Sequence, residues 1–187
     1  MEKTDQPSQK QPFKVVAFGP ESTGKTTLVS SLADYFSADW VPEFARTYLE
    51  EKEELPDEIC LPADIDPIVK GQCALEDQVL KKVQDIIFMD TNPLQTKVYT
   101  DIYFDHFHSD ILERAIHDRA YDLYLLTDID IPWENDLLRD LPQNRKEIFF
   151  IFEKALQSRQ LPYVKISGDH QQRIERSVDA IKQKRYE

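Results

Sequence analysis

The chain has 187 residues, of which 41% are hydrophobic, and it carries a formal net charge of −12. This length suits one domain with a sizeable core. The acidic balance argues against a nucleic-acid-binding surface, which needs clustered Lys and Arg, and against docking on anionic membranes. No apolar run approaches the roughly 20 residues that span a bilayer, and the 2 cysteines lack metal-ligand spacing. We therefore expect a cytoplasmic protein whose partner is a small molecule.

The first 12 residues, "MEKTDQPSQKQP", are polar and predict a disordered leader rather than a signal peptide. From residue 13 to residue 187, strand and helix patterns alternate without a separating linker, which predicts a single domain. The strands are apolar on both faces, and this favours an α/β fold with a parallel sheet covered by helices on both sides.

The first predicted strand, "FKVVAF", is followed directly by "GPESTGKTTL". Here Gly19, Gly24, Lys25 and Thr26 have the spacing G-x-x-x-x-G-K-T. Such a loop wraps its backbone N–H groups around an anion and presents it to the N-terminus of the next helix. Lys25 can reach the terminal phosphates, and the Thr26 hydroxyl can ligate Mg²⁺. The pattern predicts a nucleotide phosphate site of the P-loop type.

The next segment, "ADWVPEFARTYLEE", reads as a strand, a loop and a helix. Glu43 and Arg46 stand three residues apart on the opening turn of that helix, so both can face one ligand. They are either a base with a phosphate-binding cation or a surface salt bridge. The acidic stretch that follows, "EEKEELPDEICLPADID", predicts a loop over the surface.

A helix is predicted to begin at Pro67, since proline suits the first helical position. It leads to the buried strand "IIFMD", which ends at Asp90. An acid at this place is typical of a Walker B carboxylate, which helps to hold Mg²⁺. Asp90 could instead grip or deprotonate a substrate hydroxyl, or cap a helix.

The patterns that follow predict two helices, "PLQTKVYTDIYF" and "DILERAIHDRA", and a strand, "YDLYLLT". The polar connection after them contains Trp133, Arg139 and Arg145 and suits a lid over about residues 132–146, whose arginines close onto a transferring phosphoryl group. Trp133 either stacks on a planar ring or packs. A helix, the strand "PYVKI" and a closing helix complete the chain.

Three classes of P-loop protein compete for this pattern. A GTPase needs a switch motif and an N-K-x-D guanine reader, and no N-K-x-D occurs. An oligomeric ATPase usually has a glutamate after the Walker B acid, where this chain reads "DTN". A short small-molecule kinase, with an acid after the second strand and arginines after the fourth, fits best.

Four segments together, "GPESTGKTTL", "WVPEFARTYLE", "FMDTNPLQTKVY" and "YDLYLLTDIDIPWENDLLRDLP", resemble the ribosylnicotinamide kinase domain of bacterial NadR-type proteins. The likeness runs from about Phe13 to the final helix. It implies the fold of nucleoside and nucleotide monophosphate kinases, a five-stranded parallel sheet of order 2-3-1-4-5. It also implies phosphorylation of the 5′-hydroxyl of nicotinamide riboside with ATP and Mg²⁺, giving nicotinamide mononucleotide for NAD synthesis.

The resemblance also implies roles for individual residues. Glu43, Arg46 and Asp90 would surround the riboside, Trp133 would stack on nicotinamide, and Arg139 would belong to the lid. Relatives often have a second acid at the position of Asn92, which is a candidate reader of a ribose hydroxyl. The residues that would bind ATP phosphates and Mg²⁺ are Gly19, Glu21, Ser22, Thr23, Gly24, Lys25, Thr26 and Thr27.

The expected mechanism is in-line transfer in which Lys25, Mg²⁺ and Arg139 neutralise charge on the phosphoryl group. Asp90 is favoured over Glu43 as the carboxylate that takes the proton of the substrate hydroxyl, and Thr26 and Asp90 are the expected metal ligands. A kinase for another nucleoside or small alcohol, and an ATP-binding regulatory module without transfer, stay open as alternatives.

Overall fold

The structure is a computed structural model that describes residues 11–52, 60–133 and 144–186. Three predictions fall wholly or partly outside these residues: most of the leader, residues 53–59 of the acidic stretch, and residues 134–143 of the lid, with Arg139 among them.

The described strands are β1 (Phe13–Phe18), β2 (Asp39–Val41), β3 (Ile86–Asp90), β4 (Leu123–Thr127) and β5 (Tyr163–Ile166). They form one parallel sheet in the order β2-β3-β1-β4-β5, which confirms the predicted fold class and strand order. The central strands β3 and β4 are buried throughout and read as continuous apolar runs, whereas the edge strands β2 and β5 each have exposed residues.

Helices occupy the segments between the strands and after the last one. Helix α3 begins at Ile65, two residues before the predicted start at Pro67, because a 3₁₀ turn over Pro62–Asp64 leads the chain into it. Among the described helices, none is both long and apolar enough to cross a membrane. The helices are α1 (Lys25–Phe36), α2 (Phe44–Glu50), α3 (Ile65–Leu80), α4 (Pro93–Tyr103), α5 (Asp110–Asp118), α6 (Arg145–Ser158) and α7 (His170–Tyr186).

The core has two halves, one on each face of the sheet. Successive strand residues point to opposite faces, so Val15 and Ala17 of β1 pack with α1 and α7, while Val16 and Phe18 pack with α4 and α6. All four side chains are fully buried. This three-layer arrangement fixes the carboxyl ends of the strands along one edge of the sheet, where ligands bind in folds of this kind.

The end of the stretch predicted as a surface loop, residues 62–66, forms a 3₁₀ turn and the start of α3 instead, and this turn is anchored by Asp64. The Asp64 carboxylate is buried and accepts hydrogen bonds from Lys52 Nζ at 2.6 Å, from Leu61 N at 2.7 Å and from the Tyr48 hydroxyl at 3.2 Å. Burial alone would raise the pKa of Asp64, but these three donors hold it below its ordinary value. Asp64 thus connects the end of α2 to the start of α3.

We expect Asp64→Asn to destabilise the fold by about 1–3 kcal/mol near neutral pH, because hydrogen bonds to a buried charge are lost. A depressed folded-state pKa stabilises the protein above the unfolded-state value of about 3.9, and that stabilisation is lost as pH falls through the folded-state value. Urea unfolding of both proteins across pH 3 to 7 measures this. A difference in free energy of unfolding that stayed constant down to the lowest pH would contradict the assignment.

Candidate functional site

The loop after β1 has a backbone with positive φ at two glycines. Gly19 has φ +143°, and a Cβ there would lie 2.7 Å from Oγ1 of Thr127 on β4. Gly24 has φ +75° and directly precedes Lys25, the first residue of α1. The loop therefore turns tightly against β4 and ends at a helix N-terminus, whose unpaired N–H groups and positive dipole favour an anion.

Lys25 carries the positive charge of this loop. Its side chain is buried, and Nζ donates hydrogen bonds to the carbonyl oxygens of Gly19 at 3.0 Å and Pro20 at 2.8 Å. These contacts hold the ammonium group across the loop, at the place where phosphate oxygens would lie.

Arg173, on α7, binds the backbone of the phosphate loop. The sequence patterns did not identify this residue. Its buried guanidinium donates to the carbonyl oxygens of Thr23 at 2.7 Å, Gly168 at 2.9 Å and Asp128 at 3.1 Å, and it pairs with the Asp130 carboxylate. One side chain therefore joins the phosphate loop to the loops after β4 and β5. No motif marked it, because 150 residues separate it from Thr23.

Thr127 is the second support that sequence patterns did not reveal. It is fully buried, and its hydroxyl donates to Phe18 O at 3.3 Å and shares a hydrogen bond of 2.7 Å with the hydroxyl of Thr23. The Thr23 hydroxyl lies 2.7 Å from Pro20 O. These bonds fasten both ends of the loop to the sheet.

Asp90 lies at the end of β3, beside the phosphate loop, because Ala17 of β1 pairs with it in the sheet. It is 2% exposed, and Oδ2 accepts a hydrogen bond of 2.5 Å from the Thr26 hydroxyl. Burial raises the pKa of Asp90, although the Thr26 hydrogen bond and the charges of Lys25 and Arg46 act in the opposite direction. The structure thus brings together Thr26 and Asp90, the two predicted metal ligands.

A cavity of about 700 Å³ opens beside the loop. Glu43 and Arg46 line it from the first turn of α2, as the sequence predicted, and Arg46 also pairs with Glu50 at 3.2 Å. Further lining residues come from α2, α3 and α4, and the apolar ones include Leu49, Ile65 and Ile68. The phosphate-loop residues that line the same cavity are Glu21, Ser22, Thr23, Gly24, Lys25, Thr26 and Thr27.

Gln72 on α3 holds the start of α2 in place. Its side-chain oxygen accepts from Phe44 N at 2.8 Å, and its side-chain nitrogen donates to Pro42 O at 3.2 Å. Gln72 is buried, so both of these bonds are protected from water. They fix the backbone on either side of Glu43 and so determine where that carboxylate enters the cavity.

Asn92 does not have the position expected of a substrate reader. Its Oδ1 accepts from Gln95 N at 3.2 Å and caps α4, while Nδ2 donates to the Tyr124 hydroxyl at 3.0 Å. The residue is 1% exposed and lies outside the cavity lining. Because both ends of the amide are engaged within the fold, we correct its predicted role to that of a helix cap.

Trp133 and Arg145 pack on each other beside the cavity. The Arg145 guanidinium lies 5.7 Å from the Trp133 ring centroid and donates to Ile131 O at 2.9 Å and Ser22 O at 3.2 Å. Arg145, which falls within the predicted lid, is also the first residue of α6. Trp133 lies outside the lining of the 700 Å³ cavity and contacts Arg145, and its stacking on a substrate ring stays a prediction.

Comparison with known proteins agrees with this geometry. The sequence profile of a family described as AAA domain matches residues 14–173. The trifunctional NAD biosynthesis/regulator protein NadR of Escherichia coli (strain K12) is 29% identical over 184 residues, which are 95% of this chain and 44% of that protein. The chain therefore spans less than half the length of this curated relative.

Solved structures of NadR protein have the same fold as this chain. The complex with NR has a TM-score of 0.77 at 25% identity, and the complex with NAD and AMP-PNP has a TM-score of 0.75 at the same identity. Each match covers 92% of this chain and 49% of the other. Thymidylate kinase from Candida albicans has a TM-score of 0.68 at 13% identity, covers 94% of this chain and 93% of its own, and shares the fold alone.

We expect Arg173→Lys to weaken ATP binding about tenfold and to lower the midpoint of thermal unfolding. Lysine keeps the charge but lacks the planar fork that binds several acceptors at once. Isothermal titration calorimetry, at a temperature at which both proteins are folded, measures the affinity. Arg176→Lys, an exposed arginine of the same helix, is the matched control. An unchanged ATP affinity in Arg173→Lys would show that the bonds of Arg173 do not position the phosphate loop.

Proposed function

The chain belongs to the AAA domain family, and we propose that it is a kinase that transfers the γ-phosphoryl group of ATP to the 5′-hydroxyl of nicotinamide riboside. The observation that carries the proposal is that the phosphate loop lines the same cavity as Glu43 and Arg46. A cavity of about 700 Å³ has the size of small-molecule sites and can hold a phosphate donor against an acceptor.

The relatives support this substrate pair. NadR protein, whose fold this chain shares at 25% identity, has been solved with NR and with NAD and AMP-PNP. NR is nicotinamide riboside, and AMP-PNP is an ATP analogue, so the two complexes supply an acceptor and a donor. The proposal is limited to the kinase step, because this chain spans 44% of the E. coli protein that is called trifunctional.

Hydrolysis of ATP by an activated water is disfavoured by the residues after Asp90. An ATPase uses a carboxylate there to polarise water, whereas this chain has Thr91 and Asn92. Asn92 is engaged as a helix cap. Membership of the family therefore fits a site that binds ATP and delivers its phosphoryl group to an alcohol.

The residues around Asp90 fit a divalent cation. Oδ1 of Asp90 is buried and has no hydrogen-bond partner among the described residues, while Oδ2 accepts from Thr26. Mg²⁺ is usually held by one or two protein oxygens together with waters and phosphate oxygens, and Asp90 and Thr26 could supply the protein oxygens. Bound Mg²⁺ would neutralise charge on the phosphates, with Thr26 and Asp90 holding it.

The positions of the two carboxylates suggest separate tasks. Asp90 faces Thr26 at the phosphate end, whereas Glu43 lines the acceptor cavity. The charge of Glu43 also reaches Tyr99 in the same cavity, where it adds to burial in raising the pKa of the Tyr99 hydroxyl. We therefore assign Glu43, rather than the initially favoured Asp90, to orienting the acceptor hydroxyl and taking its proton.

We expect Asp90→Asn to unfold at a higher temperature than the wild type near neutral pH in metal-free buffer, because the variant no longer buries an incompletely paired charge. The same change should abolish transfer. Adding MgCl₂ with ATP should narrow the difference in unfolding temperature, since a ligand that binds only the native wild type stabilises it. Differential scanning fluorimetry with and without MgCl₂ and ATP measures this. Near-wild-type turnover of Asp90→Asn at saturating Mg²⁺ would overturn the metal assignment.

We expect purified protein with ATP and Mg²⁺ to add one phosphate to nicotinamide riboside and to no common nucleoside. Mass spectrometry of the products from a panel of nucleosides tests this directly. Phosphorylation of a different nucleoside would keep the kinase reaction and overturn the acceptor. ATP binding without any phosphorylated product would favour a regulatory module.

Lys25→Ala is the control for the reaction itself. It should lower the rate by several orders of magnitude while leaving the fold intact, because the positive charge that stabilises the transferred phosphoryl group is lost. An active Lys25→Ala variant would contradict the P-loop mechanism.

A further inference from the structure

Gln95 is a buried polar side chain in the cavity wall whose oxygen is unused by the fold. The residue is 3% exposed and lines the cavity, and Oε1 has no hydrogen-bond partner in residues 11–52, 60–133 and 144–186. Leaving a buried acceptor unpaired costs about 1–3 kcal/mol. Such groups are therefore rare in folded proteins and call for an explanation, of which a missing ligand is one.

The backbone around Gln95 is fixed, so its side chain is presented at a defined place. Gln95 is the third residue of α4, and its N–H is bound by the capping Oδ1 of Asn92 at 3.2 Å. Gln72 provides a comparison in the same wall, because both ends of its amide are bound to α2 backbone groups or their neighbours. Of these two buried glutamines of the cavity lining, Gln72 has both ends of its amide bound within the fold, whereas Oε1 of Gln95 has no partner among the described residues.

Gln95 lies toward the reacting end of the cavity. It belongs to the first turn of the helix that follows Asp90, and its neighbours Thr91 and Thr96 also line the cavity. Tyr103 lines the cavity from the last residue of the same helix, roughly 12 Å farther along at 1.5 Å per residue. A nucleoside laid along α4 would place its sugar near Gln95 and its ring near the aromatic end.

We propose that Gln95 binds the phosphate acceptor by accepting a hydrogen bond from a ribose hydroxyl, and so selects ribosides over deoxyribosides. The inference rests on the proposed function and adds to it a residue that determines specificity. A site that contains a buried hydrogen-bonding group discriminates strongly against analogues that lack the matching group, since the site's own group is then left unpaired. The carboxamide of nicotinamide is the other donor of this ligand, and it lies at the far end from the reacting hydroxyl.

The first test is Gln95→Leu, which removes the acceptor at nearly constant volume. We expect KM for nicotinamide riboside to rise about tenfold and KM for ATP to stay within about twofold. The unfolding midpoint without ligands should stay equal or rise, because the variant replaces an unpaired buried oxygen with an apolar group. Gln78→Leu, an exposed glutamine on α3, is the matched control and should change none of these values.

The second test compares substrates that lack one donor. Wild-type protein should prefer nicotinamide riboside over its 2′-deoxy or 3′-deoxy analogue, and Gln95→Leu should lose that preference, because the analogue and the variant remove the same bond. Gln95→Leu could instead keep its preference over the deoxy analogues and lose the preference for nicotinamide riboside over nicotinic acid riboside. That result would show that Gln95 contacts the carboxamide, and it would overturn the ribose assignment.

The outcomes separate this inference from the proposed function. If the wild type phosphorylates nicotinamide riboside and Gln95→Leu has an unchanged KM, the inference is wrong and the function stands. A large fall in the unfolding midpoint of Gln95→Leu would show that the oxygen serves the fold, which also overturns the inference. If the wild type phosphorylates another nucleoside instead, the same comparison uses that nucleoside and its deoxy analogues. If it phosphorylates none, both proposals fail.

Discussion

Side chains bind several carbonyl groups of the loop after β1, and these bonds fix the direction of the loop's peptide units. The Thr23 carbonyl accepts from Arg173, the Ser22 carbonyl from Arg145, and the Pro20 carbonyl from Lys25. A peptide unit whose C=O is fixed on one side has its N–H directed to the other. The phosphate site is therefore made by partners outside the loop as much as by its two glycines, because glycine permits the turn but does not choose its direction.

Those partners place cations around the loop and bind them through backbone carbonyl groups and, for Arg173, through a carboxylate as well. Arg173 pairs with Asp130, and together with the N–H of Gly168 it holds the pKa of Asp130 below its ordinary value, against burial, which alone would raise it. The buried charge of Asp90 is less well compensated by hydrogen bonds, since Thr26 is its one hydrogen-bond donor among the described residues. Oδ1 of Asp90 and Oε1 of Gln95 are two of the buried polar atoms that have no hydrogen-bond partner among the described residues, and a metal ion and a substrate hydroxyl are proposed to bind there. Binding sites often lower the stability of the fold, because their polar groups are left unpaired until a ligand binds.

The parts of the site that sequence could predict are those encoded within a few neighbouring residues. The glycine spacing predicted the loop, and the acid at the end of "IIFMD" predicted Asp90, because each pattern depends on one strand and the turn that follows it. Arg173 and Thr127 could not be found in this way, since they act on the loop across more than 100 residues. Asn92 was expected by resemblance to read a ribose hydroxyl, yet both ends of its amide are bound within the fold. No sequence pattern pointed to Gln95, because an atom without a hydrogen-bond partner can be identified only when the positions of its neighbours in the fold are known.

The charge of the chain has a consequence for the proposed reaction. Nicotinamide riboside is a pyridinium cation, and a protein with a formal net charge of −12 attracts it over about one Debye length, roughly 8 Å at physiological ionic strength. The same field opposes ATP, so nucleotide binding depends on the local cations Lys25 and Arg46 inside the cavity. Phosphorylation turns the cation into an anion, which reverses its interaction with the surrounding acidic surface. The acidic composition that argued against nucleic acid thus favours entry of the substrate and departure of the product.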